Sequence, residues 1–337
     1  MRDVRKVFII ISMCLLCICL TACGRKTKDA DIEQYLQQAY FEARNLILEE
    51  VKEVTEQPGE LANTVLVTCT TKASNEYVEQ TAKWELLFEK FDGNMVGSKY
   101  EMRQNDYTLL SVLSEETVAD EMADRFYNWI FFQITDVEEN LNTGTVKYYY
   151  SVYDNHKAFY IKWDYVIEYK WNEYTMSWES GNDERLSDDE LGLKVDLTGE
   201  YEYTKDHPGV WRSNENHYEK IKIEQVDANG KIRLSAYEYR IDGELVCDLE
   251  GLEEQEVQIE YCDPWSSEYR LSGWGGKARA YFYKKHHNSV NIYIEGDELK
   301  LSSTASMGDE VTLKKLDCKN IYEFLNPEYA IYEGKCE

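Results

Sequence analysis

The residues in this chain that could do chemistry are its cysteines, a few histidines, its carboxylates and some loop-borne tryptophans. Nine Cys occur in 337 residues. Cys14, Cys17 and Cys19 fall in the apolar N-terminus, and Cys23 stands just after Leu20-Thr21-Ala22. Cys69, Cys247, Cys262, Cys318 and Cys336 remain in the body. Cys247 lies on the strand-like run 244–249 and Cys262 directly follows the run 256–261, and a hairpin would set the two runs opposite one another. Cys318 and Cys336 flank the C-terminal tail. Two disulfides could form in an oxidising compartment, and buried free thiols are the competing reading. No CxxC or Cys/His spacing points to zinc, and no metal or cofactor is expected.

Other chemistry is thin. There is no GxSxG, HExxH, phosphate loop or dinucleotide fingerprint. The adjacent His286-His287 pair would point to opposite faces of a strand, which disfavours shared metal ligation. Glycoside hydrolysis needs two carboxylates at a set separation, and 64 Asp and Glu leave any pair undistinguished. Trp211, Trp265 and Trp274 sit in turn-like contexts, such as Asp263-Pro264-Trp265 and Gly273-Trp274-Gly275. Such indoles could meet a sugar, peptide or cation. Capping a core is their other role. The expectation is a non-enzymatic binding or scaffold protein for a small ligand or envelope partner. A cell-envelope hydrolase using carboxylates is the alternative.

The N-terminus has the parts of an export signal. Arg2, Arg5 and Lys6 precede an apolar stretch over 7–20, broken only by Ser12. About 14 apolar residues are too few to span a hydrocarbon core, which takes roughly 20. Leu20-Thr21-Ala22-Cys23 resembles the lipobox of bacterial lipoproteins. That resemblance implies diacylglycerol on the Cys23 sulfur, removal of residues 1–22 and a position on the extracytoplasmic face of the membrane. Two acyl chains, each contributing about 0.8 kcal/mol per buried methylene, anchor stably where one is marginal. Residues 23–30 then form a tether, with Arg25, Lys26 and Lys28 near the headgroups.

Net charge is −27. Residues 1–22 carry three bases and one acid, so removing them leaves about −29. Such a chain repels nucleic acid, which excludes that partner, and it resists self-association, so a monomer is expected. A hydrophobic fraction of 43% excludes disorder. With 27 Tyr and only four Pro, the composition suits half-buried sheet faces.

A self-match at an offset of 79 residues organises the first half. Asn63-Thr64 recurs as Asn142-Thr143, Lys83-Trp84-Glu85 as Lys162-Trp163-Asp164, and Glu89 as Glu168. Ile32, Leu36, Tyr40, Ala43, Ile47, Val51 and Val54 have helical spacing, and Pro58-Gly59 ends them. Ser114 can cap a second helix through Val118, Met122, Phe126, Trp129 and Phe132. Strands follow over 64–71, 79–91 and 95–103, and over 145–153, 158–171 and 174–179. The expected fold class is α+β tandem repeats, a helix packed on an antiparallel sheet twice over, at 31–110 and 111–180. The arrangement resembles cystatin-like or NTF2-like modules, with Trp84 and Trp163 as matching core residues. No site residue follows from that resemblance.

An acidic linker is expected over 181–196, with a calcium loop as a weaker reading of its oxygen ligands. Ten short strands follow over 197–317, with Asn229-Gly230 and Asp242-Gly243 as hairpin turns. They read as an all-β barrel or sandwich, loosely similar to lipocalins, with a tail at 318–337 packing as a short helix or strap.

Overall fold

The computed structural model describes residues 27–203, 217–240, 245–247, 255–262, 277–283, 289–303 and 310–335. The protein is mostly β. Only two α-helices occur among these residues, α1 (Asp29–Leu36) and α2 (Glu115–Ala123). The expected pair of helix-on-sheet repeats followed by a barrel is therefore corrected. The helices are short, the sheets are all antiparallel, and none closes.

The first sheet runs in chain order: β1 (Ile47–Pro58), β2 (Thr64–Ser74), β3 (Val78–Phe91) and β4 (Asn94–Leu109). The second holds β5 (Ile130–Asn140), β6 (Thr145–Asn155), β7 (Phe159–Asn172) and β8 (Ser177–Arg185), again in order. In it β9 (Glu190–Leu193) also pairs with β7. The third contains β10 (Gly199–Tyr203), β11 (His217–Gln225), β12 (Lys231–Arg240) and β13 (Leu245–Cys247), with β14 (Gln255–Gln258) also on β12. The fourth is β15 (Glu260–Cys262), β16 (Lys277–Tyr283), β17 (Ser289–Glu295), β18 (Glu298–Ser303) and β19 (Glu310–Lys315).

Why the first helix stops short is visible in β1. The chain leaves α1 through a π turn and a 3-10 turn and breaks at Asn45, which is left-handed (φ 53°). Gln37 then clamps the exit: its Nε2 donates to Leu46 O at 3.2 Å and its Oε1 accepts from Leu48 N at 3.3 Å. Leu48, Val51 and Val54 are three apart, as on a helix, yet all three pack on the core. Register shifts between Leu48 and Glu50 and between Lys52 and Thr55 supply the extra residues. Each bulge lets a three-residue step return to the same sheet face, where a regular strand needs two. The second helix ends at Ala123 for a simpler reason: Phe126 and Trp129 lie in turns, and Phe132 already lies on β5.

The described residues form two compact units. Unit one runs to Leu113 and takes in Asn140–Thr145 and Lys170–Glu179. Its core centres on Trp84, 1% exposed. Tyr40, Phe41 and Tyr100 meet that indole edge-on at 4.8, 5.9 and 5.9 Å. The indole Nε1 donates to Thr71 Oγ1 at 2.7 Å, so the polar edge is satisfied within the core.

Unit two holds Ser114–Glu139, Val146–Tyr169 and the described residues from Ser180 onward. Its largest core takes Phe159 and Ile161 from β7, Leu191 and Leu193 from β9, and Ile223, Ile232, Leu234, Ile292 and Leu299 from later strands. Residues 181–196, expected as a linker, thus include the end of β8 and a strand with buried side chains. The tail is a strap. A 3-10 turn at Ile321–Glu323 leads to β20 (Tyr332–Glu333), which pairs with β5. The fully buried Gln133 carboxamide donates to Asn326 O at 2.7 Å and accepts from Asn326 N at 3.1 Å.

Candidate functional site

Within unit two, five stretches of chain meet at the tip of the β6–β7 hairpin. The hairpin supplies Asp154, Asn155, His156 and Lys157. The turn before β5 supplies Tyr127 and Trp129. Lys194 follows β9, Asp297 lies between β17 and β18, and Cys318 follows β19. Backbone bonds lock them in register: Asn155 N to Trp129 O at 3.2 Å, His156 N to Phe159 O at 3.0 Å, Lys194 N to Ala158 O at 2.8 Å and Lys319 N to Lys194 O at 3.0 Å.

The outer surface of this tip is aromatic. Tyr127 and Trp129 stack face to face, with centroids 4.6 Å apart and planes 2° from parallel. Each is 49% exposed. Ile130 N donates to Tyr127 O, closing the turn that presents both rings. Stacking on each other fixes the rings without burying them, so their outer faces stay open.

Beneath the tip lies a charged set. Lys194 is only 4% exposed, and its Nζ donates to Asn155 Oδ1 at 2.6 Å. No carboxylate among the described residues pairs with it. Burial pushes its pKa down, opposed by the Cys318 sulfur. Cys318 is half-buried, with its Sγ 3.7 Å from Leu316 O. Burial raises its pKa and Asp297 adds to that, while Lys194 and Lys157 oppose. Cys69, buried in unit one, is pushed up to about 12 by burial. Both thiols are held protonated at neutral pH, which suits packing rather than nucleophilic attack.

His156 stacks on Phe159 at 4.5 Å, with Tyr261 at 5.4 Å. Its Nε2 lies 3.3 Å from Asp154 Oδ2. That approach lacks hydrogen-bond alignment, and Nε2 and Asp154 Oδ1 are both buried without a hydrogen-bond partner. Lys157 and Lys315 flank Asp297 at 2.9 and 3.5 Å. The Lys157 hydrogen bond holds the Asp297 carboxyl below the usual range. Among the described residues, no three His, Cys, Asp or Glu side chains converge on a metal position.

The residues expected from sequence fall elsewhere. Cys23, Trp211, Trp265, Trp274, His207, His286, His287 and Cys336 lie outside the described residues. The runs bearing Cys247 and Cys262 do not face one another. Strands β13 and β14 follow the same edge of β12, and Cys262, which is buried, begins the fourth sheet on β15. Trp163 matches Trp84 only in part. It packs half-buried against the core of unit two, donates from Nε1 to Asp189 Oδ1 at 2.7 Å, and has the Arg185 guanidinium 5.7 Å from its ring centroid. Arg185 also pairs with Asp189 in the segment where calcium ligands were considered.

Sequence reasoning missed Trp129, because it fell in phase with an expected helix, and Lys194, because it fell in an expected linker. One signal was available for Lys194: a basic residue inside the apolar run Leu191–Val195. No family model matches this chain, and no curated protein matches it.

Proposed function

We propose that this chain is a lipid-anchored protein of the extracytoplasmic membrane face, that it is of binding or scaffold type, and that the Tyr127–Trp129 turn contacts its ligand. The anchor rests on Leu20-Thr21-Ala22-Cys23. The contact rests on one observation: two half-exposed rings held parallel in a closed turn. Flat aromatic faces with polar groups alongside suit the apolar face of a sugar ring, and the occupant proposed is an envelope glycan.

Asp189, Asp196, Glu256, Glu295 and Asp297 are held below their ordinary range by Arg, Lys or backbone N–H partners, so none of these five is poised as a general acid. No helix among the described residues is long and apolar enough to cross a membrane.

Two experiments test it. Tryptophan fluorescence of the purified chain, titrated with a soluble cell-wall glycan digest, should change saturably, and Trp129→Ala should weaken binding by more than about 1 kcal/mol. Equal affinity in that variant would refute the contact. Separately, Cys23→Ala should release the protein from the membrane fraction, and unchanged fractionation would refute the anchor.

A further inference from the structure

Unit one carries a cavity of about 310 Å³ on the outer face of its sheet, bounded by the β1–β2 loop. The register fixes its floor. Leu66 on β2 lies opposite Leu87 on β3, and Leu87 lies opposite Lys99 on β4. These three side chains therefore form one row across the sheet, with β2 and β4 roughly 10 Å apart. Leu61 and Glu60 complete the wall from the loop side.

That loop is preformed. Thr64 Oγ1 accepts from Leu61 N at 3.2 Å and donates to Leu61 O at 2.9 Å, and Gly59 N donates to Thr64 O at 3.0 Å. A Cβ on Gly59 would stand 2.1 Å from Thr64 Oγ1, so only glycine lets the loop close this tightly. Lys90 N donating to Asn63 O at 2.8 Å ties the loop tip to β3.

The charges around the cavity sort into two kinds. Glu85 and Glu101 are neutralised by Arg103, which holds Glu85 through two nitrogens. Glu60 and Lys99 have no ion-pair partner among the described residues, and they do not pair with each other. The cavity therefore offers an anion at its loop end, a cation at its β4 end and leucines between. We propose that it binds a short zwitterionic peptide with apolar side chains, its ammonium at Glu60 and its carboxylate at Lys99. The volume lies at the low end for ligand pockets, roughly 300–1,000 Å³, which fits a dipeptide. This site is in the other unit from the aromatic turn and does not depend on it.

The probe is the dipeptide Leu-Leu, titrated calorimetrically into the purified full chain. Saturable binding at roughly millimolar or lower concentrations is expected. N-acetyl-Leu-Leu should bind about tenfold more weakly, and Glu60→Gln should weaken Leu-Leu by a similar factor. The two losses should not add, because both remove the same contact. Leu-Leu amide and Lys99→Gln should behave as the second such pair. Both substitutions are on the surface, and the melting temperature reports that folding is retained. No binding of Leu-Leu overturns the proposal. So does an affinity for the acetylated or the amidated form equal to that for Leu-Leu itself, or full additivity of the losses.

Discussion

Removing the side chain that holds Lys194 gives a sharp test of how this fold carries a buried cation. Lys194 is 4% exposed, and among the described residues its ammonium has one side-chain acceptor, Asn155 Oδ1, at 2.6 Å. Asn155→Ala would remove that acceptor from a buried charge. A hydrogen bond to a charged group contributes about 1.5–3 kcal/mol, so the expected loss is about 2 kcal/mol. Lys194→Met removes the charge but strands the carboxamide oxygen, at about 1–3 kcal/mol. Exchanging a buried ion for an apolar side chain of similar length returns about 1–4 kcal/mol. The net change should be within about 1 kcal/mol. The double variant has neither an ion nor a stranded acceptor, so it should equal or exceed the parent. The coupling between the two sites should be about 2 kcal/mol. Urea unfolding measures the sum, and exchange protection of the Lys319 amide, which donates to Lys194 O, reads the site locally. A pH series supplies a second arm. Burial depresses the Lys194 pKa below its ordinary 10.5, so between those values the unfolded chain binds more protons. Stability should therefore rise with pH through that window, and Lys194→Met should flatten the rise. If Asn155→Ala costs under about 0.5 kcal/mol, or costs the same beside Met, the reasoning fails.

Three further outcomes follow from the geometry. Thr71→Val keeps the shape beside Trp84 but removes the acceptor of its indole N–H, so thermal or urea unfolding should show a loss of about 1–3 kcal/mol. Cys69, with its pKa near 12, should resist thiol reagents at pH 8 until the protein unfolds. A Cys69→Ala variant should show the native thiol count of the parent, and one fewer thiol would count against burial as the cause. Asp297→Asn should remove part of the acid slope. The lowered carboxyl contributes stability above its unfolded pKa, and that contribution is lost as pH falls through the folded value. An acid-unfolding curve of unchanged slope would contradict the Lys157 pairing.

Strands proved far easier to read than helices. The runs at 64–71, 79–91, 145–153 and 158–171 all lie on β2, β3, β6 and β7, because alternation with Val, Thr and Tyr has one structural meaning there. Asn229-Gly230 likewise falls in the turn between β11 and β12, with Gly230 at φ 85°. The helices failed where bulges in β1 reproduced a three-residue period. The 79-residue self-match located matching strands but not matching environments: Trp84 is core, while Trp163 binds Asp189 at a half-buried position. The candidate site was illegible because its parts come from positions 127, 155, 194, 297 and 318. Spacing along the chain holds no information about such a meeting.

The Gln133 clamp has a consequence for the order of assembly. Its partner Asn326 is 193 residues further along the chain, and Tyr332 pairs with Phe132 beside it. During synthesis, the outer rim of β5 must wait for nearly two hundred residues before anything covers it. Until then, the interval is one of exposure to other extended chains. A ribosome stalled anywhere between the two partners would hold unit two unfinished at its rim, whatever else had already folded.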